Sequence, residues 1–282
     1  MMYLFSGSSG PIFSARSLFV GAVLLLFTAT ACADLMIYPT RLVIDGNQRA
    51  TKVELINNGS QTAMYRISLV NRRMSETGEF SDIDAPLPGE QFSKDMLRYS
   101  PRQITLAPGA GQTVRLMVRK PANLEPGEYR SHLLFSKQPS VQEGRNLIDD
   151  KEGVGVRITT LVGVSIPVIV RHGYTSAQVD LTGLKLSREG DRIVADFVLE
   201  RSGNQSVYGD IIAMFRPSGG KAQVVGRASG VAVYTPNPSR QASIVTNLES
   251  GVTLSGGTLQ ITYREQAEDS GRILAQESLV IP

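Results

Sequence analysis

A chain of 282 residues carrying 29 Lys and Arg against 26 Asp and Glu has a formal net charge of +3, too near balance for the basic stripe with which a protein meets nucleic acid. One cysteine and two histidines, with no HExxH or other close ligand set, exclude an internal disulfide framework and give metal chemistry no sequence signature. The length suits a leader followed by one large or two ordinary domains.

The first element is the leader. A polar lead with a single basic residue, Arg16, runs into SLFVGAVLLLFTATACA at residues 17–33. Its apolar core of about ten residues closes on Ala31-Cys32-Ala33, the small-x-small form of a secretory cleavage site. It is too short to span a bilayer, which takes roughly 18 apolar residues, and no other segment approaches that length. Cleavage is expected before Asp34, which leaves 249 residues, a net charge of +2 and no cysteine. The rival reading is a lipid-modified Cys32, although Ala29 stands where a lipobox usually carries Leu.

From Asp34 onward the pattern is strand and turn. The runs LMIYPTRLVI, KVELI, AMYRISLV, QITLAP, QTVRLMV and EYRSHLLF are separated by NNGS, TGE, PGAG and EPGE. No stretch keeps a helical period over three turns, so two layers of antiparallel sheet fit best. A polar segment at 137–152 then precedes GVGVRITTLVGVSIPVIVR at 153–171. Here the even positions 154–170 are Val, Val, Ile, Thr, Val, Val, Ile, Val and Val, which puts one apolar face on a core or on a partner. Both readings account for the alternation. Pro167, which cannot donate to a ladder, favours an exposed edge.

Near Arg171-His172-Gly173 the chain turns polar, then resumes strands at 181–186, 192–199 and 210–215. The turn Pro217-Ser218-Gly219-Gly220 predicts a hairpin return through 222–225, followed by strands at 230–234, 241–245, 258–263 and 274–280. One sandwich is expected at 34–172 and another at 173–282, with a cleft where they touch.

The blocks MIYPTRLVIDGNQRATKVELINNGS, YSPRQITLAPGAGQTVRLMVRKP and LEPGEYRSHLLFS, in that order, resemble the periplasmic chaperones of chaperone-usher pilus (fimbrial) assembly. The resemblance covers residues 36–171, and the rest only by length and strand pattern. It implies an all-β protein with two immunoglobulin-like β-sandwich domains in a boomerang arrangement. It implies a periplasmic chaperone that binds pilus subunits by donor-strand complementation and delivers them to an outer-membrane usher. In that family an arginine at the position of Arg41 anchors the subunit's terminal carboxylate, and alternating residues of the last strand fill the subunit's groove. Carried over, these are Arg41 and Val154, Val156, Ile158, Val162 and Val164. The family's second anchor, a lysine, falls on Pro167, which leaves that charge to Arg171, Arg157 or Arg98; Arg171 is taken as the candidate beside Arg41. Self-association that masks the free edge is also compatible with the resemblance.

Other readings have less to stand on. His132 sits in a strand and His172 at the domain junction, Asp149, Asp150 and Glu152 form a charged loop, and no triad or paired carboxylates can be identified. No enzyme activity, cofactor or metal is expected. The alternative from a different class is a secreted adhesin or structural β-sandwich binding module, which would use the same edges and cleft.

Overall fold

The structure, a computed structural model, describes residues 34–83, 85–139, 163–247, 254–266 and 271–282. The leader with Cys32, the loop acids Asp149, Asp150 and Glu152, and Val154, Val156, Arg157, Ile158 and Val162 lie outside the described residues. All the rest is strand and turn apart from one short 3-10 turn, and among the described residues no helix is long and apolar enough to cross a membrane.

The first sandwich packs two sheets. One has the order β1 (Leu35–Tyr38), β3 (Ala50–Asn57), β9 (Gly111–Val118), β7 (Leu97–Ser100). The other runs β2 (Leu42–Ile44), β11 (Gly163–His172), β10 (Gly127–Lys137), β4 (Ala63–Val70), β8 (Gln103–Leu106). Period-two patterning builds the core: Val53 and Leu55 of β3 point inward while Lys52 and Glu54 face water. They meet Leu116, Leu133, Phe135, Val168 and Val170. One of the sequence runs is split by the fold: LMIYPTRLVI becomes β1 and β2 on opposite sheets, and the segment YSPRQITLAP, which holds the run QITLAP, likewise passes from β7 to β8. Pro39 and Pro101 stand at these crossings, where a residue without an N–H cannot continue the ladder. The NNGS turn also does more than reverse the chain. Asn57 is fully buried, donating to Gln61 O (2.8 Å) and Leu106 O (2.9 Å) and accepting from Gly59 N (2.9 Å).

The second sandwich pairs β12 (Ala177–Glu189), β13 (Arg192–Gly203) and β16 (Ser239–Thr246) in one sheet. The other holds β15 (Gln223–Val233), β14 (Val207–Pro217), β17 (Gly257–Arg264) and β18 (Ile273–Ile281). Leu199, Ile211, Phe215, Leu259, Ile261 and Tyr263 fill its core. The hairpin at Pro217 is present. Its return strand is continuous, however, rather than the two separate strands at 222–225 and 230–234 that the sequence suggests. Shifts in the β14–β15 register, with Gly230 at φ +73°, absorb the polar interruption as irregularities within one strand. Both sandwiches have the two-layer, cross-connected strand order of immunoglobulin-like folds, antiparallel throughout except where β2 runs parallel to β11.

The sandwiches share an apolar contact of Met74, Ile169, Ala232 and Tyr234. A hairpin of the first, β5 (Arg72–Met74) and β6 (Phe80–Asp82), reaches onto the second. There Asn237 Nδ2 donates to Met74 O (2.8 Å) and Gln241 N to Glu76 O (2.7 Å).

Candidate functional site

Strand β11 is half covered. It pairs with β10 along its whole length, Gly163↔Ser136 to His172↔Gly127, but with β2 only over Val168–Val170. Over 163–167 its other edge has no strand partner among the described residues. Even positions face the sandwich interior: Ile166, Val168 and Val170 are 3%, 0% and 0% exposed. Val164 continues the same face and is 44% exposed, because the opposing sheet no longer covers it. The two readings of the alternation therefore meet within this strand. The core reading holds from Ile166 onward, and Val164, the described member of the candidate strand-binding set, is an apolar side chain presented beyond the core beside an open backbone edge. Pro167, which has no N–H to donate, lies in this uncovered half.

A cavity of about 600 Å³ opens between the sandwiches. Arg41, Val43 and Arg171 of the first sandwich line it, facing Ser206, Tyr208 and Arg272 of the second. Arg41 occupies the bend in which the chain crosses from β1 to β2, so it is half buried at the junction and not on a strand edge. Its guanidinium lies 4.7 Å from the centroid of the Tyr208 ring, a cation–π contact that orients the group without using its donors. Nε is buried without a hydrogen-bond partner, and among the described residues no carboxylate pairs with Arg41.

Arg171 reaches the same cavity but is already engaged. Its Nε donates to Glu128 Oε2 (3.1 Å), and Nη1 stands 3.9 Å from Asp45. Glu128 is 1% exposed and also accepts from the Ser206 hydroxyl and, at 3.2 Å, the Ser206 N–H. A carboxylate buried with three donors, two of them from the other sandwich, is a rivet between domains. Arg98 is elsewhere, on β7, with Nη1 donating to Asp95 O (3.0 Å) and Leu97 O (2.8 Å).

Next to the rivet lies a second buried polar group. Arg130, 4% exposed, stacks between Tyr234 (4.5 Å) and Phe80 (5.5 Å), and His132 meets Phe80 edge-on at 4.9 Å. Burial, then the charges of Arg130 and Arg72, push His132 down to about 3, so its ring is neutral at neutral pH. Burial also lowers Arg130 and raises Tyr234. His172 ends β11, half exposed.

Glu128, Ser206 and Tyr208 were missing from the sequence-based candidates. Glu128 had a signal. Glu128, Arg130 and His132 alternate with Tyr129, Ser131 and Leu133, so EYRSHLLF has a charged face and an apolar face, and nothing else in the run marks the charged one as buried. Ser206 and Tyr208 had none, because their role exists only once the second sandwich is docked.

Together these features define a two-sandwich protein that offers an open, apolar strand edge next to an interdomain cleft in which Arg171 and Arg272 are paired with Glu128 and Glu265 and Arg41 has no carboxylate partner among the described residues. No protein-family model matches the sequence, and no curated protein matches it. Solved structures do. The chain is similar to the YadV chaperone at 13% identity and a TM-score of 0.45, over 88% of this chain and 100% of that one. It is similar to the CsuC–CsuE chaperone–tip adhesion subunit pre-assembly complex of the archaic chaperone-usher Csu pili of Acinetobacter baumannii, at 15% identity and 0.43, over 88% and 98%. The SafB chaperone complex with SafA pilin from Salmonella enterica is similar at 12% identity and 0.42, over 90% and 99%.

Proposed function

We propose that this protein is a periplasmic chaperone of pilus subunits that lends strand β11 to a subunit lacking its own last strand and passes it to an outer-membrane usher. The observation that carries the reading is the uncovered half of β11. Backbone donors and acceptors there that have no strand partner among the described residues lie beside Val164, which keeps the parity of the core and projects past it. An extended segment of a partner adding to such an edge gains main-chain hydrogen bonds, while the alternating side chains enter its groove. Val154, Val156, Ile158 and Val162 keep the same parity in sequence.

Arg41 supplies the register. A guanidinium without a carboxylate partner, stacked on Tyr208 at the cleft, is suited to hold both oxygens of a chain-terminal carboxylate. Arg171 adds positive potential but spends its Nε on Glu128, so its part in capture is secondary. Calorimetry with a minimally complemented subunit and its C-terminally amidated form tests this. Arg41→Ala should lose roughly 2 to 5 kcal/mol of affinity, and amidation should cost the wild type a similar amount. Arg41→Lys should recover only part, because a point charge does not reproduce the fork. Unchanged affinity of folded Arg41→Ala, with indifference to amidation, would remove the anchor. A protein that co-purifies as a permanent polymer component would instead be the structural module.

A further inference from the structure

The solvent face of the sheet β1-β3-β9-β7 lies on the side of the first sandwich away from β11, and it carries an unbalanced charge. Pairing puts its outward residues in rows. Met36 stands opposite Ile56, Tyr38 opposite Glu54 and Thr113, Lys52 opposite Arg115 and Ser100, and Ala50 opposite Met117 and Arg98. Arg119 lies just beyond the end of β9 and lines the cavity described next. At this end, the turn between β2 and β3 and the end of β9 enclose a cavity of about 350 Å³ lined by Arg49, Arg119, Lys120 and His172, with no acid in its lining.

The positive charge of this face is only partly offset within the chain. Lys52 and Arg115 are directly opposed like charges, which destabilises a sheet. The face has one acid, Glu54, already bound by Lys52 at 2.9 Å. Among the described residues neither Arg49, Arg115 nor Arg119 forms an ion pair. Lys120 donates to the carbonyls of Gly46 and Arg171, which fixes its ammonium at the cavity wall. Met117, 61% exposed, and Tyr38, 63% exposed, interrupt the cations with apolar surface.

We propose that this face docks an acidic polypeptide segment, with carboxylates meeting Arg115 and Arg119 and one side chain entering the cavity beside Arg49 and Lys120. Met117 and Tyr38 favour a polypeptide over a lipid surface: they offer separate apolar contacts to side chains, and no continuous apolar rim is available for acyl chains. The site meets β11 only at His172 and through the Lys120 bond to the Arg171 carbonyl, at the opposite end of the strand from the uncovered residues 163–167.

The probe is a fluorescein-labelled octaglutamate peptide, titrated against the whole protein by anisotropy, with octaglutamine as its neutral control. Saturable binding that weakens as salt rises is expected, because exposed charges are screened. The Arg115→Ser/Arg119→Ser pair should lower affinity about tenfold, at a few-fold per exposed charge pair. Arg188→Ser/Arg192→Ser, on the other sandwich, should leave it unchanged. Glu54→Gln, which removes the competing acid, should tighten binding about threefold, a gain that no folding defect can imitate. Equal affinity in the Arg115/Arg119 variant, equal loss in the Arg188/Arg192 variant, or no gain from Glu54→Gln would overturn the proposal. So would stronger binding to phosphatidylglycerol vesicles that depends on Arg115 and Arg119, which would make the face a membrane contact.

Discussion

Replacing Glu128 by alanine should cost this protein more than any other single removal of charge. The carboxylate is 1% exposed and accepts from Arg171 Nε, the Ser206 hydroxyl and the Ser206 N–H. Its removal leaves Arg171, only 14% exposed at the side chain, with Asp45 at 3.9 Å as its remaining carboxylate. Ser206, 2% exposed, keeps a buried hydroxyl and N–H without an acceptor. Breaking a buried pair on one side costs about 3 to 5 kcal/mol, because the surviving charge stays desolvated. For a chain of this size each kcal/mol moves Tm by about 2 to 4 °C, so a fall on the order of 10 °C is expected in calorimetry. Ser206→Ala alone should cost less. In the double variant the two losses should not add, since the second partner has already lost its acceptor. If Glu128→Ala unfolds within 1 kcal/mol of wild type, or its loss simply adds to that of Ser206→Ala, the interdomain rivet is not what holds these groups in place.

Stability should fall on acidification from pH 7. The unfolded chain takes up the His132 proton near its ordinary 6.5, while the folded site resists it until about 3. Folding therefore loses on the order of 2 kcal/mol by pH 5, and His132→Gln should flatten that slope in urea titrations. Gly209→Ala should destabilise by roughly 1 to 3 kcal/mol in the same assay, since a Cβ there would lie 2.1 Å from Arg264 O and push β14 off β17. Val164→Asp should change stability by no more than about 0.5 kcal/mol, whereas Ile166→Asp, two residues on, should unfold the first sandwich.

The strands and their facing were legible because period two survives in the sequence: Val53 and Leu55 against Lys52 and Glu54 need no tertiary knowledge. What the sequence concealed was where a strand stops being core. Val164 and Ile166 are equally apolar and share a parity, and only the extent of the opposing sheet makes one exposed and the other buried. The prolines at 39 and 101 were visible, but not that the chain changes sheets there, because a sheet crossing is a property of two partners. Arg41 was singled out as a chain position, while its setting on Tyr208 joins residues far apart in sequence and depends on how the second sandwich docks. The hairpin 72–82 was hidden for the same reason, its anchors at Asn237 and Gln241 being more than 160 residues away.

Amide hydrogen exchange along β11 tests strand donation most directly. In the free protein, amides of residues 163–166 that face away from β10 have no strand partner among the described residues and should exchange rapidly, while those of Val168–Val170 beside β2 are protected. On binding a pilus subunit that lacks its last strand, the 163–166 amides should become protected to the level of Val168–Val170, with no change on β9. A subunit that binds stably while these amides keep exchanging at the free rate would contradict the account, because the lent strand would then not be β11.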